Sequence, residues 1–161
     1  MNVLKNRCGV SPAWVPGSGV AEPPVVEFDA IWDTGASNSV ITQAVIHGCG
    51  LVATGIAQVH GVHGVKQTET YLVNIALPNN VTFTSLRVTK GDIPSADILI
   101  GMDIINKGDF SVTNCDGHSQ FSFRTPSIEH IDYVEQANAI RQARQQPRNR
   151  AARRRAKLSR P

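Results

Sequence analysis

The chain has 161 residues, 41% of them hydrophobic and 18% charged, enough apolar material for one core and a single domain with tails. No apolar stretch approaches the ~18 residues that a bilayer crossing needs, and no basic region followed by an apolar run opens the chain, so neither a membrane span nor a secretory signal is expected. The formal charge of +3 conceals a division: residues 1–140 carry 7 Lys or Arg against 13 Asp or Glu, a net −6, whereas residues 141–161 carry 9 Lys or Arg and no acid, a net +9. The basic character therefore belongs to the tail alone. Cys8, Cys49 and Cys115 are an odd number at unrelated spacings, which argues against a disulfide framework and suits a reducing, cytoplasmic setting.

Residues 1–24 hold Pro12, Pro16, Pro23 and Pro24 with Gly9, Gly17 and Gly19, a density that opposes helix and central strand, and they read as an irregular arm. The next segment, Val25 to Trp32, places Val26, Phe28, Ala30 and Trp32 on one face at period two, a half-buried strand. That strand delivers Asp33 straight into the turn Thr34-Gly35-Ala36-Ser37, so the carboxylate is expected to lose hydration there. A short strand over Ser39–Ile41 follows, then a short helix capped by Thr42 and ended near Gly48 and Gly50. Residues 55–65, with Gly55, Gly61 and Gly64, read as a hairpin with a tight tip. Tyr71, Val73, Ile75 and Leu77 alternate into a turn at Pro78-Asn79-Asn80, and Leu86 and Val88 continue the pattern. Ile98-Leu99-Ile100 is a short, continuously apolar, β-branched run before Gly101, the signature of a strand buried on both faces. Phe110 and Val112 face Phe121 and Phe123 across an Asp116-Gly117 turn. Asp132 and Glu135 have the spacing of a capping box and open a helix that Pro147 stops. Many short alternating strands predict a closed or partly closed all-β domain over 25–128, a C-terminal helix within 129–146 and a disordered basic tail over 147–161.

Two motifs, Asp33-Thr34-Gly35-Ala36-Ser37 and Ile98-Leu99-Ile100-Gly101-Met102-Asp103, in this order and separation, resemble the retropepsin-like (retroviral-type) aspartic proteases in their cellular or bacterial-type form. The resemblance covers roughly residues 25–125. It implies an acid-protease barrel in which the strand ending at Gly101 crosses beneath the loop that carries the catalytic Asp33. Peptide hydrolysis by carboxylates needs two of them sharing one proton, one to take a proton from water and one to polarise the scissile carbonyl. Only one D-T-G is present, so the resemblance implies a homodimer in which each copy gives one Asp33.

The resemblance assigns the remaining roles as well. Thr34 would hydrogen-bond across the twofold axis, and Gly35 would let the two loops approach. Substrate-binding residues would be Ala36 and Ser37 beside the carboxylate, Ile100 and Gly101 beneath it, and Gly61, Val62, His63 and Gly64 at the tip of a flap that closes over an extended protein or peptide substrate. Asn38 and Met102 stand where viral members often carry an acidic residue and an Arg that pair near the dimer interface, so this dimer would be weaker or held by other contacts. No cofactor and no metal are implied. His60-x-x-His63 and Cys115-x-x-His118, with His47 and Cys49, offer zinc-compatible atoms, but no pair has a familiar finger spacing.

Two other functional classes compete with the peptidase. One is a catalytically weak or inactive dimer of the same fold that only binds peptides. The other is contact of the 141–161 tail with nucleic acid or an anionic surface by charge neutralisation. That tail contains no aromatic residue, so such binding would be non-specific and salt-sensitive.

Overall fold

The computed structural model describes residues 3–61 and 64–144. Strands dominate: β1 (Lys5–Pro12), β2 (Val26–Trp32), β3 (Val40–Ile41), β4 (Gly55–Gly61), β5 (Gly64–Ala76), β6 (Thr82–Lys90), β7 (Ile98–Ile100), β8 (Asp109–Cys115) and β9 (His118–Arg124). Two short helices interrupt them, α1 (Gln43–Gly48) and α2 (Met102–Ile105). The domain is all-β, as the alternating pattern predicts.

Seven strands form one sheet in the order β1-β2-β7-β3-β6-β5-β4, and β1 pairs with β5 as well as with β2. Following the pairings from β1 through β2, β7, β3, β6 and β5 returns to β1, so six strands close a barrel with no free edge among them. Closure explains why the core is β-branched: Val10, Ile41, Val73, Ile75, Val88, Ile98 and Ile100 are fully buried within it.

The N-terminal arm requires correction. Residues 5–12 are not irregular: Lys5–Val10 pair with β2 and Gly9–Pro12 with β5, which makes β1 the strand that closes the barrel. The proline and glycine density misleads because Pro12 sits at the strand's end, where its missing N–H costs no interior ladder bond. At Gly9 an added Cβ would lie 2.5 Å from Val25 Cγ1, so the glycine marks a close approach rather than a break. The cap of α1 also differs from expectation. Thr42 occupies the N-cap position with extended backbone, but its hydroxyl makes no cap bond and is buried without a partner.

Strand β5 serves two structures in turn. Its second half lies in the barrel against β1 and β6, while residues 64–69 leave the barrel and have ladder pairs with β4 alone, Gly61 opposite Gly64; Thr70 pairs on both sides. This projecting hairpin is largely exposed, Ile56 at 74% and Val65 at 59%. A bulge between Val73 and Ile75 turns the buried Asn74 amide to accept from Ser85 N–H (2.8 Å) and donate to the Trp14 carbonyl (2.8 Å).

β8 and β9 form a separate two-stranded sheet in the predicted register, Phe110 opposite Phe123 and Val112 opposite Phe121. Asp116 and Gly117 both have positive φ, +50° and +78°, as a tight two-residue hairpin turn demands. Residues 129–161 make up a second unit, of which 129–144 are described. It is helical over 133–144, and the Asp132 carboxylate caps it by accepting from the N–H groups of Val134 (2.7 Å) and Glu135 (3.1 Å). Most of the basic run, residues 145–161, lies outside the described residues, as does the stop expected at Pro147. Among the described residues no helix is long and apolar enough to cross a membrane.

Candidate active site

Three strands converge on Asp33. β2 runs parallel to β7 with Trp32 opposite Ile100, and β7 is antiparallel to β3 with Val40 opposite Leu99. The ladder continues one residue past β2, because Asp33 N–H donates to the Ile100 carbonyl at 2.9 Å. The backbone at the carboxylate is therefore anchored like a strand, although its side chain stands outside the barrel.

The turn itself is tight. Gly35 N–H donates to Asp33 Oδ1 at 2.8 Å and Ala36 N–H to the Asp33 carbonyl at 3.3 Å. A Cβ on residue 35 would lie 3.1 Å from that same carboxylate oxygen, so glycine lets the amide reach it. Asp33, Thr34, Gly35 and Ser37 are exposed in the single chain and Ala36 is half-buried. The expected loss of hydration at Asp33 is thus not met within one chain, since the carboxylate lies beyond the last barrel residue.

Beneath the loop runs the residue pair Ile100-Gly101. Met102 N–H donates to the Ala36 carbonyl at 2.8 Å. A Cβ on Gly101 would lie 2.6 Å from the Asn38 carbonyl carbon and 2.7 Å from its oxygen, both backbone atoms with nowhere to go. Ile100 and Gly101 are buried, Ile100 completely, so the substrate-contact role expected of them needs correction: they support the loop from below. Of the flap-tip residues, Gly61 and Gly64 face each other at the end of the β4–β5 hairpin, and Val62 and His63 lie outside the described residues.

Sequence reasoning missed the staple that fixes this loop. Ser39, fully buried, donates its N–H to Asp103 Oδ2 (2.9 Å) and its hydroxyl to Asp103 Oδ1 (2.8 Å). The same hydroxyl accepts from Gly101 N–H at 3.1 Å, and Asp103 Oδ1 also accepts from Ile104 N–H at 3.0 Å. One carboxylate therefore ties the end of the D-T-G loop to the first turn of α2, and every polar atom involved has a partner. The only signal in the sequence was an acid two residues past Gly101 and a serine two residues before Ile41.

A second support lies under Trp32. Its indole N–H donates to Asn6 Oδ1 at 2.8 Å. Its ring stacks on Phe110 (centroids 5.5 Å, 14° between planes) and meets Phe121 and Phe123 at 5.7 and 5.2 Å. Among the described residues no group of three or more His, Cys, Asp or Glu side chains is arranged to hold a metal ion.

Residues 25–107 match the family model described as "gag-polyprotein putative aspartyl protease". Among solved structures, the EIAV protease complexed with the inhibitor HBY-793 is similar at 23% identity and a TM-score of 0.40, over 55% of this chain and 89% of that one. The foamy viral protease-reverse transcriptase, in complex with an RNA/DNA hybrid, is similar at 19% identity and a TM-score of 0.41, over 65% of this chain and 12% of that one. No curated protein matches the chain. The matched residues span just over half of the sequence, and the chain belongs to the gag-polyprotein aspartyl protease family.

Proposed function

We propose that the protein is an aspartic endopeptidase that works as a homodimer, with one Asp33 from each copy forming the active centre. The observation that carries this reading is the Asp33 turn itself: a single, exposed carboxylate on a loop held rigid from below by Gly101 and Asp103. Half a centre is held by carboxylate and backbone hydrogen bonds, and a second copy of the same half completes it across a twofold axis. Asp33 Oδ1 takes the Gly35 N–H, and Oδ2, without a partner among the described residues, faces the partner carboxylate and water.

In the dimer the two carboxylates share one proton. The ionised one removes a proton from water as that water attacks the scissile carbonyl. The protonated one donates to the carbonyl oxygen, and the tetrahedral intermediate collapses with proton return to the leaving amine. Thr34, which is exposed and whose hydroxyl has no bond among the described residues, bonds across the axis. Ala36 and Ser37 border the cleft. The β4–β5 hairpin acts as the flap, closing over an extended peptide and excluding water, with Gly61, Val62, His63 and Gly64 at its tip. No cofactor takes part.

The test compares wild type with Asp33→Asn on an unbiased peptide library between pH 4 and 8. Wild type is expected to cleave, with turnover falling once the pair holds two protons or none. Asp33→Asn is expected to lose at least about a thousandfold in kcat, as removal of a general acid–base group does. Equal cleavage by both proteins refutes the assignment.

A further inference from the structure

We propose that Trp32 is the positioning residue for Asp33, and that the β8–β9 hairpin acts on the carboxylate through it; this rests on the peptidase reading for its catalytic consequence, but not for its structural one. The Asp33 side chain stands in solvent with a single hydrogen bond, to the amide two residues on. Among the described residues its carboxylate has no other hydrogen bond, so its direction is set by the backbone from which it departs. That backbone is fixed by Trp32, which is 7% exposed and held from three directions. Its N–H donates to the Leu4 carbonyl at 2.9 Å, it lies opposite Ile100 in the parallel ladder, and its indole N–H reaches Asn6. The fourth side is the aromatic face of the hairpin.

The hairpin has no ladder to the barrel; it is a sheet of its own. A two-stranded hairpin is marginal alone and must pack to persist. It packs by placing Phe110, Phe121 and Phe123 around the Trp32 ring, with Phe83 adding an edge contact to Phe123 at 6.4 Å. Offset-stacked and tilted rings of this kind resist rotation as well as separation. The far end of the hairpin is locked in turn. A Cβ on Gly108 would lie 1.9 Å from the Arg124 carbonyl oxygen, and Asp109 accepts from Arg124, Ser127 and Ile128. The hairpin is thus a braced plate whose load falls on the residue before the carboxylate. An ordinary core side chain would stabilise the barrel without steering Asp33; Trp32 does both.

The experiment measures amide hydrogen exchange at Asp33 and Gly35, whose N–H groups bond to Ile100 O and Asp33 Oδ1, alongside exchange at Val73 and Ile75 in the barrel. The variants are Trp32→Leu, Trp32→Phe and Phe110→Leu, with Val88→Ala as a barrel-core control that touches neither the indole nor the hairpin rings in the stack. Trp32→Leu and Phe110→Leu are expected to speed exchange at Asp33 and Gly35 about tenfold while Val73 and Ile75 hold. Trp32→Phe keeps a ring for the stack and recovers most of the protection. On peptide substrate, the two Leu variants lower kcat about tenfold per titrated site with KM unchanged, because misdirected groups lose rate and not binding. Val88→Ala lowers stability but leaves kcat per site unaltered. If exchange at Asp33 and Gly35 in the Leu variants stays within about twofold of wild type, or rises no more than in Val88→Ala, the positioning role is overturned. Absence of Asp33-dependent cleavage in wild type would sink the peptidase reading instead, and the exchange data would still decide the role of Trp32.

Discussion

Ser39 and Asp103 show how few residues fix the loop that carries Asp33. Asp103→Ala leaves the buried Ser39 N–H and hydroxyl without acceptors, and is expected to cost about 2–3 kcal/mol, the desolvation penalty of unsatisfied groups. Asp103→Asn keeps one acceptor and should cost about half of that; urea unfolding separates the two. Asp109 offers a second residue-level test. Bonds from Ser127, Ile128 and Arg124 hold its carboxyl well below the usual carboxylate range. A group whose folded affinity for protons is lowered contributes stability above its unfolded pKa of about 4 and loses it as pH falls further. Asp109→Asn is therefore expected to lower the melting temperature at pH 7, with the gap to wild type narrowing steadily below about pH 4. Asp29, lowered by its bond to Lys5, adds a term of the same sign to the acid sensitivity of wild type. Asp33 and Gly101 were legible because each sits in a short motif that a strand announces. The Ser39–Asp103 staple was not, because its halves are 64 residues apart and neither looks unusual alone.

Among the elements, β1 carries the main lesson. Its sequence alternates only briefly and includes Gly9 and Pro12, so local propensity reads it as irregular. Tertiary pairing on both sides overrides that reading, as it does where a strand's ladder partners supply what its side chains do not. The β8–β9 hairpin, in contrast, was legible down to its register because the Asp-Gly turn and four apolar residues at period two fix it. The buried thiol of β1 makes a reporter for closure. Burial pushes the Cys8 thiol up to about 12, against a weaker lowering by Asn6, so almost none is thiolate at neutral pH. In native protein a thiol reagent is expected to label the exposed Cys115 first, the half-buried Cys49 slowly and Cys8 only as the barrel opens. Labelling of Cys8 at the rate of Cys115 would mean that β1 leaves the barrel readily.

At the scale of the molecule, the single chain is a closed barrel that leaves the Asp33 carboxylate exposed. The homodimer reading predicts that specific activity falls on dilution, since two folded halves must associate before either can work. It also predicts that adding Asp33→Asn chains to wild type suppresses activity beyond simple dilution. With equal amounts and free exchange, about half of the pairs are mixed, and turnover per wild-type chain falls roughly twofold. Sedimentation at matched concentrations checks that mixing leaves the dimer fraction intact. Fold class was readable from the spacing of short strands, which left the domain closed or partly closed; full closure depends on β1 meeting β5 as well as β2, and the β1–β5 pairing joins residues far apart in sequence.

The double duty of β5 has a mechanical outcome. Its inner half is clamped in the core while its outer half stands in solvent, and the changeover falls at Thr70, whose carbonyl accepts from both the N–H and the hydroxyl of Thr54. Because the strand is continuous there, the arm behaves as a cantilever fixed at one end. The support does not end abruptly, because the Thr68 hydroxyl donates to the Lys90 carbonyl and Glu69 pairs with the Lys90 ammonium just past the changeover, so the root of the arm is stiffer than its outer reach.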